Sequence, residues 1–118
     1  MTLSILVAED EALIAMQIEM DLEDAGYRVV GPCMSLSACF DALAAQRIDA
    51  AVLDVDLADY DVFPVATELE KRGIDFVFHT GRGQRDRIIA LFPDAPICTK
   101  PAEVIVLLRS LELPKVAP

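Results

Sequence analysis

Glu9 and Asp10 follow the apolar run Leu3 to Ala8, Asp54 ends the run Asp49 to Asp54, Thr80 ends Asp75 to Thr80, and Lys100 follows Ala95 to Thr99. Carboxylates about 4 Å apart repel by roughly 4 kcal/mol at the effective dielectric of a protein surface, so such an acidic group calls for a cation. Mg²⁺ suits it. The ion takes oxygen ligands and keeps several waters, which fits carboxylates from Glu9, Asp10 and Asp54 and a backbone carbonyl from Asp56. Zinc would ask for His and Cys ligands, which the group lacks. With charge on the equatorial oxygens neutralised by metal and by Lys100, Asp54 is a competent nucleophile towards a phosphoryl group. Thr80 can then donate its hydroxyl to a third oxygen. Simpler roles compete for single residues: Asp10 and Asp61 are each candidate helix caps. His79 reads as a hydrogen-bonded core group, and Asp59 as a solvated loop residue.

These residues need a scaffold that brings strand ends together. Adding Tyr27 to Cys33 gives five strand-like runs alternating with helix-like stretches, which predicts an α/β fold with a doubly wound five-stranded parallel sheet. Ser4 to Ala8 and Ala50 to Leu53 are apolar on both faces and read as central strands. Tyr27 to Val30 carries a charge and the fifth run is bracketed by Pro96 and Pro101, so both read as edges. In an open α/β sheet ligands bind at the carboxyl ends of strands, where the polar residues stand.

Helices fill the gaps. Glu11 to Ala25 places Ile14, Ile18, Leu22 and Ala25 on one face and stops at Gly26. Ser35 or Ser37 can cap a helix to Gln46 that buries Phe40 and Leu43. Asp61 can cap one that buries Val62, Val65, Ala66 and Leu69, with Pro64 in its first turn. Val104, Leu107, Leu108 and Leu111 predict a last helix. Gly81 to Pro93 is the weak element: its opening is too polar for a firm helix, only Ile88 to Phe92 offers an apolar turn, and mobility is expected.

At 118 residues the chain has the size of one domain, and no apolar run approaches the roughly 20 residues of a membrane span. A soluble, cytoplasmic protein with no membrane contact is expected. The formal charge of −10 argues against direct nucleic-acid binding, since it repels phosphate backbones. Cys33, Cys39 and Cys98 show no zinc-type or redox-type spacing and read as reduced core thiols. Pro-Lys-Val-Ala-Pro after Leu113 leads into no linker, so residues 1–118 are expected to form a single domain without an output domain.

Val7-Ala8-Glu9-Asp10-Glu11, Leu53-Asp54-Val55-Asp56-Leu57 and Thr99-Lys100-Pro101 resemble the acidic start, phosphorylation strand and lysine turn of the receiver domains of bacterial two-component systems. The resemblance covers essentially the whole chain. It implies strand order 2-1-3-4-5, an Mg²⁺ site at Glu9 and Asp10, phosphate acceptance at Asp54, a hydroxyl switch at Thr80 and phosphoryl binding by Lys100. Such a protein is a phosphorylated signalling switch, not a turnover enzyme, and is expected as a monomer or weak dimer. Phe78-His79-Thr80-Gly81-Arg82-Gly83 resembles the Phe-Ala-Thr-Gly segment of FATGUY receivers, with His79 for Ala and Arg82 for an apolar residue. Many of these are single-domain proteins paired with HWE-type histidine kinases, which implies such a kinase as partner and an unidentified downstream protein or a phosphate-sink role. Ile97 stands where receivers commonly carry Tyr or Phe, which puts the aromatic rotamer switch in doubt.

Two rival functions use the same residues. A haloacid-dehalogenase-like phosphatase would use Asp54-Val55-Asp56, but there the nucleophile comes early and the metal-binding acidic pair late, the reverse of the order here. A pseudo-receiver scaffold would not need the intact set of Asp10, Asp54 and Lys100.

Overall fold

The computed structural model describes residues 2–57 and 60–100, together with 103, 106, 107, 109 and 111. The alternation read from the sequence is present as β1 (Ser4–Ala8), α1 (Ala12–Asp24), β2 (Arg28–Cys33), α2 (Leu36–Ala45), β3 (Ala50–Leu53), β4 (Asp56–Leu57), β5 (Tyr60–Asp61), α3 (Phe63–Lys71), β6 (Asp75–Thr80), α4 (Arg85–Leu91) and β7 (Ile97–Thr99). A five-stranded sheet runs β2-β1-β3-β6-β7 with every pair parallel. Since β6 and β7 are its fourth and fifth strands, this is the 2-1-3-4-5 order, with the two charged or proline-flanked runs at the edges as expected. β4 and β5 form a separate antiparallel hairpin that the sequence reading did not anticipate.

Successive side chains of a strand point to opposite faces, and the buried residues divide accordingly. Leu6, Ala8, Ala51, Leu53, Phe76 and Phe78 join one core cluster; Ile5, Val7, Ala50, Val52 and Val77 join the other. The first is covered by Cys39 and Leu43 of α2, Val65, Ala66 and Leu69 of α3, and Ile88 of α4. Ile18 and Leu22 of α1, with Leu107 and Leu111, cover the second. Two covered faces explain why β3, and β1 after Ser4, are apolar throughout.

The local stops and caps follow the chemistry of their residues. Gly26 closes α1 at φ 96°, and Ser35 Oγ caps α2 by accepting the Ala38 N–H at 3.2 Å. Asp61 Oδ1 accepts the Phe63 N–H at 3.1 Å, serving the start of α3. One expectation needs correction. Phe40 is 38% exposed, because Cys39 and Leu43, four apart, take the inward face of α2 and leave Phe40 a hundred degrees round the helix from Cys39. Gly81 to Pro93, read as the weak element with one apolar turn, contains the seven-residue α4, held by the fully buried Ile88. In the final stripe Leu107 and Leu111 are buried, whereas Val104 and Leu108 lie outside the described residues, as does Asp59. No helix among the described residues is long and apolar enough to cross a membrane.

Candidate functional site

The register of the sheet brings the site residues to one level. Ala8 pairs with Leu53 and Leu53 with Phe78, so Glu9 and Asp54 step off adjacent strands together, and Thr80 pairs with Thr99 just before Lys100. Backbone bonds fix the exits: Asp54 N–H to Ala8 O at 2.8 Å, Glu9 N–H to Cys33 O at 3.1 Å, and Lys100 N–H to Thr80 O at 2.7 Å. A non-glycine at Gly31, beside the Cys33 exit, would put its Cβ 2.8 Å from Val7 O, so the two strands approach this closely only because position 31 has no side chain.

Lys100 is the hub. Its Nζ donates to Asp54 Oδ2 at 2.8 Å and lies 2.8 Å from Glu9 Oε1 and 3.5 Å from Glu11 Oε1. Glu9, Asp54 and Thr80 are buried at 1%, 6% and 3% exposure, so two carboxyls and a hydroxyl lie in the interior. Burial, opposed by Lys100 and reinforced by Asp54, pushes the Glu9 carboxyl up to about 7. Burial alone would lower the Lys100 ammonium, but the neighbouring Asp54 and Glu9 carboxyls prevail and raise it. Glu9 Oε2 accepts the Glu11 N–H at 3.1 Å. Glu9 Oε1 is buried with no aligned hydrogen bond despite the nearby ammonium.

Asp10, Asp54, Asp56, Thr80 and Lys100 line one cleft, so the structure brings together the residues read from the sequence, while Glu9 stands behind them on Lys100. It adds Glu11 and Gln84 to the lining. Carboxylate oxygens of Glu9, Glu11 and Asp54 lie within 4.8 Å of one another, so Glu11 joins two of the carboxylates expected to hold the ion. Three consecutive acids, Glu9 to Glu11, were the signal that could have found it. The cap position of α1 falls to Glu11, not Asp10. A hard cation fits this set, because the grouped donors are all carboxylate oxygens.

His79 is buried, and burial, then Lys100, lowers its imidazole below the usual range. None of the three cysteines forms a disulfide; Cys33 and Cys39 are buried and Cys98 is half-buried. Ile97 packs half-buried against the α2–α3–α4 core.

Comparison with known proteins agrees with this geometry. The family model of the response regulator receiver domain matches residues 5–106. The transcriptional regulatory protein PdtaR of Mycobacterium tuberculosis is 32% identical over 85 residues, which are 71% of this chain and 42% of that protein. The chain thus matches less than half the length of this curated relative. SdrG of Sphingomonas melonis, solved in solution, is 37% identical with a TM-score of 0.81 over 95% of this chain and 98% of its own. A response regulator receiver protein of Sinorhizobium medicae is 25% identical with a TM-score of 0.83 over 93% and 91%. The chain belongs to the response regulator receiver domain family, whose members act as phosphoacceptor signalling switches in two-component systems.

Proposed function

We propose that Asp54 is the phosphoacceptor of a response regulator fed by a histidine kinase. The observation that carries this is Lys100 Nζ held 2.8 Å from both Asp54 and Glu9 at the carboxyl end of the central strands. In the transfer an Asp54 oxygen bonds to phosphorus, the phosphorus–nitrogen bond of the phosphohistidine breaks, and its electron pair stays on the imidazole. An acyl phosphate results. Lys100 holds the phosphoryl oxygens, and Thr80 donates its hydroxyl to one of them. Glu9, Asp10, Asp54 and the Asp56 carbonyl, with Glu11 added by the geometry, would hold Mg²⁺, which when bound neutralises charge on the transferring group.

The Phe78-His79-Thr80-Gly81 segment supports a FATGUY-type receiver, and with it an HWE-type kinase as phosphodonor, and similarity to SdrG along nearly the whole of both chains supports a single receiver domain. Readout then runs through the segment after Thr80, either to a downstream protein or as a drain on a shared kinase.

Incubation with a phosphohistidine kinase should label the chain stoichiometrically, survive Asp56→Asn and vanish in Asp54→Asn. Persistent labelling of a folded Asp54→Asn protein overturns the assignment, absence of labelling in the wild type favours a scaffold, and turnover of a phosphate ester favours a phosphatase.

A further inference from the structure

Asp56 and Asp61 are directly opposed across the β4–β5 hairpin, an arrangement in which like charges destabilise the pairing. Between them lies Arg87 of α4. Its guanidinium is 3.6 Å from Asp56 Oδ1 and 3.4 Å from Asp61 Oδ2, and its carbon sits 5.1 Å from the centre of the Phe63 ring. Gln84, just before α4, donates to Asp56 Oδ2 at 3.3 Å and accepts from Arg87 at 3.2 Å. The planar fork of Arg engages both carboxylates while its face stacks on an aromatic ring, a combination Lys cannot reproduce.

We propose that Arg87 is a positioning residue: by neutralising the facing Asp56 and Asp61 carboxylates it holds the hairpin closed and sets the Asp56 backbone beside the metal-binding carboxylates. This rests on the metal site proposed above. Val62 N–H donates to Val55 O at 2.7 Å across the base of the hairpin, which makes it a direct reporter of closure. Arg87 also makes α4 and the acidic site one mechanical unit, so a shift of α4 alters the site and the reverse.

The test compares wild type, Arg87→Met, Asp61→Asn and the double variant, with Asp54→Asn as control. Mg²⁺ affinity is read from amide shifts, and Val62 exchange is read without metal. Arg87→Met should weaken Mg²⁺ binding about three- to fivefold, the scale of a partly exposed ion-pair network, and speed Val62 exchange similarly. Asp61→Asn keeps the acceptor for the Phe63 N–H while deleting one facing charge, so in the Arg87→Met background it should restore both readouts; Arg87→Lys should restore them only in part. Unchanged Mg²⁺ affinity in Arg87→Met, with binding still lost in Asp54→Asn, overturns the clamp and leaves the metal site standing. If Asp54→Asn does not affect Mg²⁺ binding, the metal-site reading fails instead, and Val62 exchange alone judges the clamp: no acceleration in Arg87→Met refutes it.

Discussion

At the scale of single residues, two buried groups give opposite pH dependences. Glu9 is raised to about 7 from 4.5, so between those values the folded chain holds a proton that the unfolded chain has released. Stability from this group therefore falls as pH rises across that window and is flat above it. His79 is lowered from 6.5, so below that value the unfolded chain gains a proton that the fold refuses, and stability falls on acidification. The metal-free wild type should show a shallow profile between about pH 5 and 7, while Glu9→Gln should leave His79 unopposed and become steadily more stable with rising pH. Urea midpoints at several pH values decide this; an unaltered profile means Glu9 is ionised throughout. Lys100, raised in the fold, contributes below 10.5 and is lost only in alkali. Its removal in Lys100→Met leaves Glu9 and Asp54 facing each other and should cost about 3 kcal/mol at pH 7 without metal, and less near pH 5, where Glu9 takes up a proton.

At the scale of elements, α4 is the one whose existence depends most on its surroundings. Isolated helices shorter than about 12 residues are marginal in water, and α4 has seven. Its anchor is Ile88, fully buried among the aromatic rings' core, so Ile88→Ala should cost about 2–4 kcal/mol or melt α4 locally, seen as amide protection lost over residues 85–92 alone. Thr80→Ala should still accept phosphate yet lose the protection change that phosphorylation or beryllofluoride brings to residues 81–91. The contrast with the sheet shows what a sequence can reveal. β1 and β3 were legible because burial on both faces writes a nearly continuous apolar run, β6 because Phe76, Val77 and Phe78 do the same at its centre, and the positions of Asp54 and Thr80 at strand ends followed from them. α4 was not, because Asp56 and Asp61, which tie it down through Gln84 and Arg87, lie 28 and 26 residues away. β4 and β5, two residues each, are too short to carry any periodicity. Glu11 was read as the start of α1 and not as a ligand, because its place in the cleft depends on Lys100, which comes within 3.5 Å of its Oε1 from the far end of the chain.

At the scale of the whole molecule, a charge of −10 concentrated partly at one end of the sheet makes the metal-free protein self-repelling. Sodium chloride should raise its melting temperature modestly by screening. Mg²⁺ at about a hundred times its dissociation constant adds about 2.7 kcal/mol, on the order of 10 °C for a chain of this size, beyond any effect of matched ionic strength. Asp10→Ala should shrink that shift; an unchanged Mg²⁺ response would remove Asp10 from the ligand set. The same molecule has no tryptophan, but Phe63, Phe76, Phe78 and Phe92 touch one another, with centroids 5.4 to 6.1 Å apart, where α3, β6 and the end of α4 meet. Circulating π electrons shield nuclei above a ring and deshield those at its edge, so methyl groups packed in that core, such as those of Val65 and Ile88, should be displaced from their random-coil positions. Because Phe63 also carries the Arg87 stack, those few proton lines form a built-in gauge: any tilt of α4 that parts the rings shifts them, with no label or dye attached.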